Sequence, residues 1–281
     1  MSIKKLAGIA TALALWAAPA AHAQVVDSDH AHSLVRAQNC KPHYLIAVPG
    51  GANTVAGIPT SLPHGGNVFT TGLLVQADTA GEVQPLWVSY DAAAFTASYY
   101  PDASAGGYQE TWETVTTLAG NCPEAHFSFT GYSLGAEIVA RMTRDIAHGR
   151  GPITADRVNA VALFANPHQG GNGGVPGSIT DPGSRGSLGS LPDGYGNLGP
   201  RVLELCYADD IVCSMPERYR GIIDPAMATN LLGGQFPAAD FNAVVSRLGP
   251  DALGIVAGIN AHARYDFANQ REAADWIVSH A

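Results

Sequence analysis

The chain has 281 residues, with 24 acidic side chains against 15 Lys and Arg and a formal net charge of −9. A chain of this length can form one large α/β domain or two small ones. Its basic residues form no patch or Arg-rich run, which argues against a nucleic-acid partner. The acidic balance fits a neutral or lipid substrate better than a polyanion.

The first 23 residues have the pattern of a secretory signal peptide. Lys4 and Lys5 supply the positive end, residues 6–16 form a short apolar core, and Ala21-His22-Ala23 is an A-x-A cleavage site. The sequence therefore predicts a chain that is secreted or held in the cell envelope, with a formal charge of about −11 once the two lysines are removed. An uncleaved membrane anchor is the alternative, but the apolar stretch is short for a membrane span.

Short apolar runs alternate with helical patterns along the rest of the chain, which predicts a parallel sheet covered by helices. Residues 24–281 are therefore expected to form a single α/β domain. The predicted strands are 44–48, 86–90, 127–130, 158–164 and 202–205, and the predicted helices are 107–119, 134–147 and 267–278.

Two long stretches depart from this alternation. Residues 166–200 are rich in Gly, Ser and Pro and show no periodicity, which predicts a long surface loop that is either mobile or functional. Residues 214–261 carry apolar clusters just before a candidate catalytic histidine. That position suits a cap over an active site, and the alternative is that the segment completes the core.

The pentapeptide Gly131-Tyr132-Ser133-Leu134-Gly135 lies between a predicted strand and a predicted helix. In this context G-x-S-x-G is typical of a nucleophile elbow, whose glycines allow a sharp turn that lifts the serine hydroxyl above the sheet. An ordinary Gly-Ser turn is the alternative interpretation. The context favours Ser133 as a nucleophile.

A serine nucleophile needs a base within hydrogen-bond reach and an acid that orients the base. Of the ten histidines, only His262 and His280 follow the candidate acids, and His280 is the penultimate residue, where a chain end frays. His262, in a predicted loop over 260–263, is therefore the expected base. Asp209 and Asp210 follow the strand at 202–205, and the pattern alone does not separate them.

Four cysteines, an even number in an exported chain, predict two disulfides. Cys206 and Cys213 are close in sequence and are expected to close a small loop around the two aspartates. Cys40 precedes the first strand and Cys122 precedes the strand before Ser133, so they can pair if those strands are neighbours. Zinc is the competing interpretation, but the two widely separated pairs contain no C-x-x-C motif.

The combination of GYSLG at 131–135, C-x-x-x-D-x-x-C at 206–213 and His262 resembles the cutinase family of serine esterases. It also resembles the envelope lipid esterases of actinobacteria within that family and the related PE-PPE-type hydrolase domain. The resemblance implies an α/β-hydrolase fold, a cutinase-like three-layer sandwich around a mostly parallel sheet. It further implies Asp210 as the acid and a disulfide between Cys40 and Cys122.

The predicted oxyanion hole combines the backbone N–H of Leu134 with one from the loop after the first strand. Gly51 is the expected second donor and Ala52 the next choice, whereas the alternative is that Pro49-Gly50-Gly51 is only a turn. Cutinases usually carry an Arg-Gly-Ser or Arg-Gly-Thr turn there, so this loop departs from the family pattern. The segment before His262 is also longer than in small cutinases.

These observations predict a monomeric, secreted serine esterase for lipid or polyester substrates that forms an acyl-enzyme and needs no metal or cofactor. Peripheral contact with cell-envelope lipids is expected with such substrates. An envelope acyltransferase that uses the same three residues is a second hypothesis. A non-catalytic envelope protein on a hydrolase scaffold is a third.

Overall fold

The computed structural model describes residues 40–92, 100–220, 257–258 and 260–281. The predicted signal peptide and most of the predicted cap at 214–261 lie outside the described residues. Across the part that is described, no helix combines the length and the apolar character needed to cross a membrane.

Six strands form one sheet in the order β2-β1-β3-β4-β6-β5, and every neighbouring pair is parallel. This confirms the predicted α/β class. The strands are β1 (His43–Val48), β2 (Val83–Trp87), β3 (His126–Tyr132), β4 (Val158–Phe164), β5 (Val175–Pro176) and β6 (Val202–Leu205).

Helices cover both faces of the sheet, as the alternation of β1 side chains shows. Tyr44 and Ile46 point into the core shared with the second and third helices, whereas Leu45 points into the core shared with the first and last. The result is the expected three-layer sandwich. The described helices are α1 (Asn67–Asp78), α2 (Tyr100–Asn121), α3 (Leu134–Ala147), the short α4 (Glu217–Arg220) and α5 (Phe267–Ser279).

The strand order places a topological switch point between β1 and β3. From β1 the chain crosses to β2 at one edge of the sheet, and it then returns to β3 on the other side of β1. In open parallel sheets, the loops that leave the carboxyl ends of such a strand pair diverge and leave a crevice for ligands. Ser133 follows β3 and Gly51 follows β1, so the fold brings these two predicted site residues to one crevice.

Three elements differ from the sequence prediction. Helix α1 was not expected, because two of its four buried residues, Thr71 and Gly72, are not hydrophobic and blur the apolar stripe. Strand β2 starts and ends three residues earlier than predicted. Helix α2 extends well beyond the predicted 107–119 at its amino end.

Residues 166–200 do more than run over the surface. They supply β5, which pairs with β6 at the edge of the sheet. They also carry Gln169 and Tyr195, buried side chains whose polar groups reach the Glu204 carboxylate on β6 at 2.9 and 3.1 Å. The segment is therefore bound to the core by hydrogen bonds, which its Gly-rich composition did not indicate.

Candidate active site

Ser133 occupies the sharp turn between β3 and α3. Its backbone has φ 55° and ψ −119°, a conformation that residues with a side chain rarely adopt. The turn is held by a hydrogen bond from the Ser133 N–H to the carbonyl of Phe164 at 2.9 Å. Strain of this kind at the end of a strand is the geometry of a nucleophile elbow.

The glycines around Ser133 are required by close backbone contacts. A Cβ added at Gly131 would lie 2.4 Å from the carbonyl oxygen of Gly135, and one at Gly135 would lie 2.1 Å from that of Val48. No side chain fits at such distances. The loop after β1 is also close to this turn, because a Cβ at Gly50 would lie 2.8 Å from the carbonyl oxygen of Tyr132.

The structure brings Ser133, His262 and Asp210 together from three separate parts of the chain. Nε2 of His262 lies 2.8 Å from Oγ of Ser133. Nδ1 of the same ring lies 3.1 and 3.0 Å from the two carboxylate oxygens of Asp210. A carboxylate only accepts hydrogen bonds, so this contact puts the ring proton on Nδ1 and leaves Nε2 to accept from the serine hydroxyl.

Asp209 and Asp210 are adjacent but lie in different environments. The Asp210 side chain is fully buried and, besides His262, accepts a hydrogen bond from the N–H of Val212 at 2.9 Å. Asp209 is exposed and forms an ion pair with Arg264 at the surface. The geometry therefore points to Asp210 as the group that orients His262.

Two tyrosines that the sequence analysis did not select complete the site. The Tyr265 hydroxyl donates to Oδ2 of Asp210 at 2.8 Å, and burial together with the nearby carboxylate raises the pKa of Tyr265 well above its ordinary value. The Tyr132 ring stacks on the imidazole with 5.2 Å between centroids, and its hydroxyl donates to the backbone carbonyl of His262 at 2.8 Å. Both contacts restrict the Asp210 carboxylate and the His262 imidazole to one orientation.

Each tyrosine lies close in sequence to a residue that was selected. Tyr132 is inside the G-x-S-x-G pentapeptide, and Tyr265 comes three residues after His262. That proximity is a weak signal, because it does not show where the hydroxyl groups point.

Of the two backbone N–H groups predicted as donors in the loop after β1, one is already engaged in a hydrogen bond. The Ala52 N–H already donates to the carbonyl of Ala92 at 2.7 Å. The Gly51 carbonyl accepts from the Asn53 side chain at 2.8 Å, so the peptide that joins residues 51 and 52 is held at both ends. Of the N–H groups of residues 51 and 52, that of Gly51 is thus the candidate donor, and Ala52 is the weaker choice.

Leu134 supplies the other predicted donor. It is the first residue of α3, where no carbonyl of the helix can accept from its N–H. The amino end of a helix also favours negative charge. This N–H therefore suits an oxyanion that forms next to Ser133.

The cysteines pair as Cys40–Cys122 and Cys206–Cys213. The second bridge closes the short loop that carries both aspartates, and its Cys213 sulfur lies 3.4 Å from the Tyr265 hydroxyl. Both pairs are oxidised, so none of the four cysteines is a thiolate available to zinc. His262 itself lies at the end of a helical segment over 260–262, where the sequence analysis expected a loop.

Comparison with known proteins identifies the family of the chain. The model of the cutinase family matches residues 58–221, more than half of the chain. The match contains Ser133 and Asp210 but ends before His262, which reaches the site only through the fold.

Two bacterial relatives extend the comparison. A protein described as a carboxylesterase Culp6 homolog from Corynebacterium glutamicum is 27% identical over 218 residues, which cover 67% of this chain and 70% of the relative. The phospholipase Culp4 of Mycobacterium tuberculosis is 27% identical over 124 residues, and the match covers 42% of this chain and about half, 48%, of the relative.

Among solved structures, lysin B from Mycobacteriophage D29 superposes with a TM-score of 0.55 at 19% identity, covering 84% of this chain and 99% of the phage protein. At this identity the likeness shows the fold alone, and it extends over most of the chain.

Proposed function

Because the chain belongs to the cutinase family of carboxylic ester hydrolases, we propose that it is a secreted serine esterase that cleaves esters of lipid or polyester type. Ser133 is the nucleophile, His262 the general base and Asp210 the acid that orients it. The observation that carries the proposal is the continuous set of hydrogen bonds, at 2.8 Å from the serine to the imidazole and 3.0 Å from the imidazole to the carboxylate.

In the first half of the reaction, Ser133 Oγ attacks the ester carbonyl carbon while its proton moves to Nε2 of His262. The Asp210 carboxylate stabilises the imidazolium that forms. The carbonyl oxygen becomes negatively charged and accepts hydrogen bonds from the N–H groups of Leu134 and Gly51. When the tetrahedral intermediate collapses, the bond to the alcohol oxygen breaks and His262 gives that oxygen its proton.

In the second half, water attacks the acyl-enzyme and His262 takes a proton from the water. The acid is then released, and the proton returns from His262 to Ser133 Oγ. The protein groups that move protons in this scheme are thus the same in both halves.

The wider assignments rest on separate observations. The relatives described as a carboxylesterase and a phospholipase support lipid esters as substrates. Two disulfides support export to an oxidising compartment. All three proposed catalytic groups come from one chain, which supports activity as a monomer and a single catalytic domain over residues 24–281.

The test is hydrolysis of p-nitrophenyl esters of increasing chain length by the wild type and by Ser133→Ala. We expect the wild type to be active and the variant to lose about 10⁴-fold or more in kcat. Ser279→Ala, which removes an exposed serine at the end of α5, is the matched control.

A long-chain optimum is the expected result for a lipid-directed site. Wild-type protein without activity on any of these esters would refute the esterase proposal, and activity that survives in Ser133→Ala would refute the nucleophile.

A further inference from the structure

The Tyr132 ring lies against one face of the His262 imidazole. The two ring centroids are 5.2 Å apart and the ring planes are inclined by 21°, which is an offset-stacked arrangement. The two imidazole nitrogens are engaged at the edge of the ring, Nε2 with Ser133 at 2.8 Å and Nδ1 with Asp210 at 3.0 Å. Tyr132 therefore contacts the face of the base, whereas Ser133 and Asp210 contact its edge.

Several contacts fix the Tyr132 ring in this position. Tyr132 directly precedes Ser133 at the sharp turn, and its hydroxyl donates to the backbone carbonyl of His262 at 2.8 Å. A Cβ added at Gly50 would lie 2.8 Å from Cδ1 of Tyr132, so the loop after β1 packs closely against the ring. The Tyr265 ring meets it at 66° with 6.0 Å between centroids. Each of these contacts limits movement of the ring away from the imidazole.

The charge of the imidazole changes during the proposed reaction. When His262 takes the proton of Ser133, the neutral imidazole becomes an imidazolium. The face of a phenol ring carries partial negative charge and attracts a cation that lies within about 6 Å of the ring centroid. The contact therefore strengthens as the transition state is approached, which is the condition for an interaction to accelerate the reaction.

The phenol itself stays neutral. Burial and the nearby Asp210 carboxylate raise the pKa of Tyr132 above its ordinary value, so its hydroxyl remains a donor. Other ionisable groups around this pair of rings are Tyr265, whose hydroxyl donates to Asp210, and Arg264, which pairs with Asp209 at the surface. A substitution at Tyr132 leaves all of them in place, so a change in the pH profile reports on the ring that was replaced.

We propose that Tyr132 is a positioning residue that stabilises the protonated form of His262 through the face of its ring. The inference rests on the proposed esterase function. It adds a second source of stabilisation for the imidazolium, because the Asp210 carboxylate acts at Nδ1 in the plane of the imidazole and Tyr132 acts from above that plane. The imidazolium forms in both halves of the reaction, so both halves are accelerated.

Tyr132→Phe and Tyr132→Leu separate the ring from its hydroxyl. Both remove the hydrogen bond to the His262 carbonyl, which should lower kcat for p-nitrophenyl butyrate about threefold. Only the leucine also removes the aromatic face, so we expect its kcat to be about fivefold lower again, with KM changed less than about twofold. The acid limb of its kcat/KM profile should lie about 0.7 pH units below that of Tyr132→Phe, because a less stable imidazolium loses its proton more readily.

Fluorinated phenylalanines at residue 132 test the same interaction at nearly constant shape. Each fluorine withdraws electron density from the face of the ring and weakens its attraction for a cation. The mono-, di- and trifluoro analogues of Tyr132→Phe should therefore move the acid limb to lower pH in successive steps. These variants keep an aromatic ring and provide the test even if Tyr132→Leu folds poorly.

Tyr108→Leu is the matched control. It removes a partly buried tyrosine of α2, whose hydroxyl donates to Asp145 at 2.7 Å. The loss of packing should lower the urea midpoint, as in Tyr132→Leu, while the acid limb stays at its wild-type pH.

An acid limb at the same pH in Tyr132→Leu and Tyr132→Phe would overturn the inference, and so would fluorinated analogues with identical profiles, since the ring face would then have no effect. The wild type separates this inference from the esterase proposal. If it cleaves p-nitrophenyl butyrate through Ser133 and the acid limb does not move, only the inference fails; if it does not cleave the ester, the esterase proposal fails as well.

Discussion

Asp210 and Glu204 are buried carboxylates six residues apart, yet their surroundings differ. Asp210 receives a backbone N–H from Val212, the hydroxyl of Tyr265 and the imidazole of His262. These donors come from two different segments of the chain and meet at the carboxyl edge of the sheet. The carboxylate lies at the end of a set of contacts that leads to the nucleophile.

Glu204 points instead into the segment 166–200. Its oxygens accept from Gln169 and Tyr195, both buried, and burial raises its pKa to about 7. None of these contacts leads to the serine. Burial therefore does not by itself identify a catalytic carboxylate. The hydrogen-bonded partners distinguish the two, because Asp210 contacts an imidazole and Glu204 contacts structural side chains.

The largest expected difference between the two carboxylates is in catalysis. Asp210→Asn should lower kcat for p-nitrophenyl butyrate by about 10⁴-fold, because an amide can hold His262 with its proton on the wrong nitrogen. Glu204→Gln should keep kcat within about threefold, since its contacts do not reach the site. Steady-state kinetics at pH 8 measure both.

Asp209→Asn is the matched control for Asp210, because it removes one charge from the same disulfide-closed loop. It should change kcat by less than about threefold, as expected for an exposed pair with Arg264. A larger loss in Asp209→Asn than in Asp210→Asn would show that the acid has been assigned to the wrong residue.

The second difference is in the pH dependence of stability. The pKa of Glu204 is raised from 4.5 to about 7 in the fold, so the folded protein holds a proton that the unfolded chain releases over this range. The contribution of Glu204 to the free energy of unfolding therefore falls as pH rises from about 4.5 to 7. This loss is about 3 kcal/mol, and Glu204→Gln should remove it.

Urea unfolding at pH 5 and pH 8 with both disulfides intact measures this effect. Glu124→Gln, which changes an exposed glutamate, should keep the wild-type difference between the two pH values. If Glu204→Gln also keeps that difference, the buried carboxylate is not its source.

The sequence predicted the parts of the site that depend on local spacing. The G-x-S-x-G turn between a strand and a helix located Ser133, and the short Cys206–Cys213 loop restricted the acid to two residues. It could not choose between Asp209 and Asp210 on pattern, because adjacent residues of one type differ only in the direction of their side chains. The family resemblance favoured Asp210, and the hydrogen bonds in the structure involve the same residue.

Features that depend on distant contacts could not be predicted. A hydrogen bond between α1 and α5 joins Gln270 to Asn67, which are 203 residues apart in sequence. Helix α1 itself has a weak apolar stripe, so one partner of this contact was missing from the sequence prediction. The hydroxyl of Tyr265 reaches Asp210 only after the last helix packs against the sheet.

The smallest expected effect concerns that hydroxyl. Tyr265→Phe should lower kcat for p-nitrophenyl butyrate about tenfold with little change in KM, because one hydrogen bond to the charged carboxylate is lost while the ring remains. Without this donor, more negative charge on Asp210 faces the imidazole and holds it protonated more tightly. The acid limb of the kcat/KM profile should therefore move to higher pH.

Tyr207→Phe is the matched control, since the Tyr207 ring packs against Tyr265 at 5.1 Å but its hydroxyl donates to Asn269. A purely structural role for Tyr265 predicts lower stability with an unshifted pH profile, and the two variants would then behave alike. A shifted acid limb in Tyr265→Phe alone would assign the tyrosine to the orientation and charge of Asp210. That outcome would show that the two carboxylates differ in the effect of their negative charge as well as in their partners. Glu204 also accepts a hydrogen bond from a tyrosine hydroxyl, but its described hydrogen bonds include none to an imidazole.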